Sequence, residues 1–66
     1  MTAKNQHVIP HPKGWAIKGE GNKNVSKVMS TQKLAIAEAK KIARKSKSKV
    51  LIYGKDGKIR REFNYG

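Results

Sequence analysis

One stretch of the chain has helical periodicity, Thr31 to Lys47, and it restricts what the rest can be. Wound at about 100° per residue, it places Ala35, Ile36, Ala39, Ile42 and Ala43 on an apolar arc roughly 120° wide, with Lys33, Lys40, Lys41, Arg44 and Lys45 on the opposite side. Thr31 stands at the N-cap, where its hydroxyl oxygen can accept from an otherwise unpaired amide one turn on. At the other end the helix is expected to fray through Ser46-Lys47-Ser48. A lone amphipathic helix cannot bury its own stripe, so the remaining segments must supply a surface for it.

Those segments read as strands. His7-Val8-Ile9-Pro10 and Trp15-Ala16-Ile17-Lys18 form a predicted antiparallel pair, with Pro10, Pro12 and Gly14 enforcing the turn. Pro10 has no amide hydrogen to give a ladder, which predicts an edge position for the first strand. Gly19 to Asn24 is a loop, and Val25-Ser26-Lys27-Val28-Met29 a third strand feeding the helix cap. Lys49-Val50-Leu51-Ile52-Tyr53 is rich in β-branched and aromatic residues and contains no breaker. Gly54-Lys55-Asp56-Gly57-Lys58 turns it back into Ile59 to Tyr65. Two registers are open for this hairpin. A two-residue Asp-Gly turn aligns Val50 and Ile52 with Ile59 and Phe63; a type I turn with a bulged Gly57 aligns Leu51 and Tyr53 with them. Lys-Asp-Gly favours the second. The expected fold is therefore α+β: a small antiparallel sheet with one helix on one face, burying Ile36, Ile42, Val50, Ile52 and Trp15.

Sixty-six residues make one domain, 1–66, with Met1 to Gln6 expected to fray. The chain has no cysteine, which removes disulfides and thiolate metal sites. No apolar run approaches the roughly 18 residues of a membrane span, and no signal-peptide core precedes the first strand. The expectation is a soluble, cytoplasmic protein.

Charge is the dominant compositional signal. Sixteen Lys and Arg against four Asp and Glu leave a net +12. The excess is distributed: +4 over residues 1–30, +5 over 31–48 and +3 over 49–66. A folded body so charged repels itself and is drawn to phosphate-rich polymers. A helix face meant only for solubility usually mixes signs to gain i,i+4 pairs, whereas here Glu38 is the one acid beside five cations.

Catalytic chemistry has little to work with. His7 and His11 are the only groups suited to acid–base work near neutral pH, and two histidines with no adjacent carboxylate do not make a metal site. There is no serine or cysteine triad, no phosphate-cradling glycine loop and no paired carboxylates, so neither an enzyme nor a cofactor is expected. Among the aromatics, Trp15 and Phe63 read as packing residues. Tyr53 and Tyr65 could stack on bases if exposed, although ordinary cross-strand pairing is the simpler reading.

His7-Val8-Ile9-Pro10 followed by Gly14-Trp15-Ala16-Ile17-Lys18, then Thr31-Gln32 with Ala35-Ile36 and Ala39, then Gly54-Lys55-Asp56-Gly57-Lys58-Ile59-Arg60 and a final Tyr65-Gly66, resemble a family of short bacterial and phage proteins known only as a domain of unknown function. The resemblance runs from about residue 7 to 66. It implies a consistent fold and an intracellular or phage setting, and it supplies no activity and no binding residues.

The functional expectation is a non-catalytic nucleic-acid-binding module that contacts phosphates through Lys33, Lys40, Lys41, Arg44 and Lys45 of the helix and Lys58, Arg60 and Arg61 of the last hairpin. Duplex DNA is favoured over RNA, and lysine contacts of this kind position without specifying sequence. The alternative is a protein-interaction module, an inhibitor or adaptor docking on an acidic partner by patch contact or strand addition.

Overall fold

The computed structural model describes residues 5–66, which form β1 (Gln6–His11), β2 (Gly14–Gly19), β3 (Lys27–Met29), α1 (Gln32–Ser46), β4 (Lys49–Tyr53) and β5 (Ile59–Asn64). The five strands make one sheet in the order β3-β2-β1-β4-β5. Pairs β1–β2, β2–β3 and β4–β5 are antiparallel, as the local turns dictate. The β1–β4 pair is parallel, so the sheet is mixed and not purely antiparallel. The reason lies in α1. It carries the chain back along the sheet from the end of β3, so β4 starts from the same end as β3 and runs with β1, as a helical crossover requires.

This pairing corrects the placement of the first strand. β1 lies at the centre of the sheet, although it contains Pro10. Its ladder with β4 spans only Gln6 to Val8, so Pro10 lies beyond the pairing and its missing donor costs nothing there. Gln6 is itself buried. Asn5 is also held, its side-chain carbonyl accepting from the Lys49 amide at 3.1 Å and its backbone carbonyl from the Glu20 amide at 2.8 Å. The fraying expected over residues 1–6 therefore does not extend to Asn5 and Gln6; residues 1–4 lie outside the described part. The third strand is shorter than expected, beginning at Lys27.

Alternation along the strands sends Val8, Ile17, Val50 and Ile52 to one face, where they are buried beneath Ala35, Ala39 and Ala43. Three alanines at i, i+4 and i+8 let the helix backbone approach the sheet closely, and the larger aliphatics rise from below to fill the layer. Each fully buried valine or isoleucine contributes about 1.5–3 kcal/mol of transfer free energy. Ile36 and Ile42 flank the alanine stripe and are half-buried, so Ala39 is the centre of the arc.

Both helix ends are capped. Thr31 Oγ1 accepts from the Leu34 amide at 3.2 Å. The expected fraying at the C-terminus is replaced by a stop: Lys47 takes a left-handed φ of 52°, and the Ser48 amide returns to the Ala43 carbonyl at 3.0 Å. Ser46 Oγ donates to the Ile42 carbonyl at 3.1 Å, which leaves the buried Ser48 hydroxyl to donate to Ser46 at 2.8 Å.

The two hairpin turns depend on glycine. Gly14, at φ +138°, sits where a Cβ would collide with the Met29 carbonyl oxygen as β3 closes over the turn. Gly57, at φ +80°, is the left-handed residue of the second turn, as its Lys-Asp-Gly context predicts, and the turn is closed by Gly57 N to Gly54 O at 3.0 Å and Gly54 N to Lys58 O at 2.8 Å.

The register that follows combines the two alternatives. Near the turn Tyr53 faces Ile59, as in the bulged reading; farther out Val50 faces Phe63, as in the two-residue reading. A register shift between Ile52 and Tyr53 reconciles them, leaving Arg60 as the extra residue.

Candidate functional site

The cations expected on one helix face fall into two rows with different surroundings. Lys33, Lys40 and Arg44, spaced seven and four residues apart, share the flank toward β5. Lys40 identifies that flank: its ammonium sits 4.0 Å from the centroid of the Phe63 ring. It is half-buried and held by a cation–π contact, which its position on the helical wheel did not reveal. Lys33 and Arg44 are exposed on either side of it.

The second row, Lys41 and Lys45, is exposed on the far side, where Glu38 bonds Lys27 of β3 at 2.7 Å. That hydrogen bond, then the charge of Lys27, and finally Lys41 and Lys45 hold the Glu38 carboxyl below the usual carboxylate range.

Hairpin β4–β5 contributes Lys58, Arg60 and Arg61, all exposed. In a regular strand, Arg60 and Arg61 would point to opposite faces. Because Arg60 is the bulged residue, both instead line one cleft on the helix side. Arg60 is anchored, with Nη2 2.9 Å from Asp56 Oδ2, and its side chain crosses so close to Gly54 that a Cβ there would lie 2.7 Å from Nε. Arg61 has no ion pair among the described residues.

The cleft measures about 430 Å³ and exists because α1 lies over β1 to β4 while β5 extends past it. Its apolar side is Trp15, Ile36 and Ile52; its rim is Lys55, Arg60 and Arg61, with Gln32 at the helix start. Gln32 Nε2 donates to the Tyr53 carbonyl at 3.3 Å and so ties the first turn of α1 to the end of β4. Lys55, Gln32 and Ile36 carried no sign of this role in the sequence, because nothing local says which turn faces which helix. Trp15 packs against the core as expected and also lines the cleft.

The four acids are all engaged: Glu38 with Lys27, Asp56 with Arg60, Glu62 with Lys49 at 3.6 Å, and Glu20 with His7 at 3.5 Å. They therefore offset little of the charge on Lys33, Lys41, Arg44, Lys45, Lys58 and Arg61.

The other sheet face carries His7, Ile9, Lys18, Leu51 and Tyr53, and no helix covers it. Tyr53 Oη lies 3.0 Å from His7 Nδ1, with the rings 5.7 Å apart and tilted by 42°. Glu20 approaches the opposite ring nitrogen, so His7 is bracketed by a hydroxyl and a carboxylate beside a shallow depression of about 400 Å³. His11 is in the turn, its Nδ1 accepting from the Lys13 amide at 3.1 Å. The two histidines thus have separate partners. Tyr65 packs against the core.

No helix among the described residues is long and apolar enough to cross a membrane. Residues 6–65 match a family described as "Uncharacterized protein conserved in bacteria (DUF2188)". The chain is 44% identical over 63 residues to the "Uncharacterized protein YdaT" of Bacillus subtilis (strain 168), an alignment that takes in 96% of this chain and 42% of the relative. The chain thus spans less than half the length of the curated relative it matches. No solved structure matches it significantly.

Proposed function

Since the chain belongs to the DUF2188 family of bacterial proteins, whose description assigns no activity, its own surface has to supply the functional argument, and we propose that it is a non-catalytic nucleic-acid-binding module, with duplex DNA as a ligand. The observation that carries this reading is the uncompensated charge. Lys33, Lys41, Arg44 and Lys45 of α1 and Lys58 and Arg61 of the last hairpin are exposed, with no acid bonded to them among the described residues. The four acids are bonded instead to His7, Lys27, Lys49 and Arg60. Such a surface gains by displacing condensed counterions from phosphates and carries little sequence information.

The test is a salt titration of binding to random-sequence duplex DNA. Log affinity should fall with log salt at about −0.9 per phosphate neutralised. The variant that probes the helix is Lys41→Gln, Arg44→Gln, Lys45→Gln. It spares Lys40, whose contact with Phe63 is structural, and keeps good helix formers. Binding should weaken on every sequence, and the slope should shrink by roughly one per lost contact. A folded variant with unchanged affinity and slope would remove α1 from the interface.

The open sheet face favours one other reading, docking on a protein partner. Ile59 and Val28 are exposed there at 54% and 40%. Absence of any nucleic-acid binding at low salt would leave that reading in place.

A further inference from the structure

The cleft between α1 and the β4–β5 hairpin has features that a surface binding only phosphates does not need. Contacts to phosphates alone require exposed cations and no apolar floor. Here an aromatic and two aliphatic side chains, Trp15, Ile36 and Ile52, share the lining of a hollow of about 430 Å³ with Arg61 and Lys55. That is within the roughly 300–1,000 Å³ of small-ligand sites.

Three further observations bear on what could enter. The bulge turns two consecutive arginines toward the same hollow, although strand alternation alone would separate them. Arg60 is fixed by Asp56 and packed across Gly54, forming a wall, while Arg61 has no ion pair among the described residues and is exposed to a ligand. No lining residue is acidic, and Asp56 at the edge is bonded to Arg60, so the charge left to a ligand over the apolar floor is that of Arg61 and Lys55. A planar, apolar-faced group joined to an anion fits that combination, because bases stack on aromatic rings and on guanidinium planes.

We propose that this cleft seats one unstacked nucleotide of a single-stranded nucleic acid, its base against Trp15 and Ile36 and its phosphate on Arg61 and Lys55. The proposal rests on the nucleic-acid reading above and narrows it. Paired, stacked bases of a duplex cannot reach the floor, so duplex DNA meets only the outer cations. A single strand meets both. An acidic peptide would engage the rim and leave the aromatic floor unused.

Trp15 is the only tryptophan in the chain, so its fluorescence reports the cleft directly. Two measurements are made side by side, with a labelled oligothymidylate and a labelled duplex of equal length: anisotropy for binding, and Trp15 emission for occupancy. The expected result is saturable quenching of Trp15 by the single strand and little change when the duplex is bound. Arg61→Gln alters an exposed position and should leave the circular dichroism spectrum intact. It should weaken single-strand binding by about five- to tenfold and duplex binding by less than about twofold, since one stacked, charge-held nucleotide is lost from the first and one outer contact from the second. Saturation by oligothymidylate without a change in Trp15 emission, or equal weakening of both ligands by Arg61→Gln, would overturn the cleft while leaving backbone binding intact. Failure of both ligands to bind at low salt would overturn the two proposals together.

Discussion

Hairpin β1–β2 and hairpin β4–β5 both turn on a glycine at positive φ, yet their positions in the sheet are opposite. The first has neighbours on both sides, β3 and β4, and supplies Val8, Ala16 and Ile17 with no exposed surface. In the second, β4 is central but β5 is an edge, exposed at five of its six residues, with Phe63 partly covered. Arg60, Arg61 and Glu62 occupy that edge, and charges there discourage pairing with other chains. Two hairpins of similar length thus divide the work. One closes the core, and the other presents charge. The helix is attached to both sides, by Glu38 to Lys27 of β3 and by Lys40 to Phe63 of β5.

The largest test of this contrast is Ile17→Ala. It removes a fully buried side chain from the first hairpin and should cost about 2–5 kcal/mol. For a domain this small, that lowers the melting temperature by at least about 10 °C, read by thermal circular dichroism. A shift of only a degree or two would refute the assignment of the core. Phe63→Ala removes the best-covered residue of the edge strand and its contact with Lys40, and should cost less, about 1–3 kcal/mol. Ile59→Ala, at a position 54% exposed, should stay within about 0.5 kcal/mol. If Ile59→Ala proved as damaging as Ile17→Ala, the two hairpins would not differ as described.

The smallest expected effect is on the acid limb of the stability curve. The Glu38 carboxyl is held low by Lys27, so its contribution is present above the unfolded-state value of about 4.3 and is lost as pH falls through the lower folded-state value. Glu38→Gln should therefore flatten the decline in stability below about pH 4 and change little in its shape near neutrality. An unchanged acid limb would show that the Lys27 bond does not hold β3, the edge strand beside the first hairpin, to the helix.

What was legible in the sequence was local. Thr31 as a cap, β4 at Lys49–Tyr53 and the left-handed Gly57 follow from residue types acting within a few positions, and each is where its neighbours place it. The membership of β1 was also visible, but its place was not. Pro10 argues for an edge only if the whole strand is paired, and the length of the ladder with β4 depends on a partner more than forty residues away. The candidate site divides similarly. Lys33, Lys41, Arg44, Lys45, Lys58 and Arg61 could be named from charge alone. That Lys40 belongs to Phe63, that Arg60 is tied to Asp56, and that Trp15 and Lys55 share a hollow with both arginines depends on a bulge and a crossover, which no local pattern encodes.

The parallel pairing of Gln6–Val8 with Val50–Ile52 has a consequence for how the protein comes into being. The strand made first finds its second neighbour only after the helix and β4 have been made. Until then one of its ladders is open and Val8 lacks its neighbour Ile52. Closing so long a loop is an entropic cost met late, which slows folding relative to a chain of local contacts. During synthesis β1 and β2 precede α1 and β4, and their apolar face stays uncovered until those elements follow. Residues 1–30, which contain these strands, carry a net charge of +4, and like charge of that kind opposes association between chains whose apolar face is open.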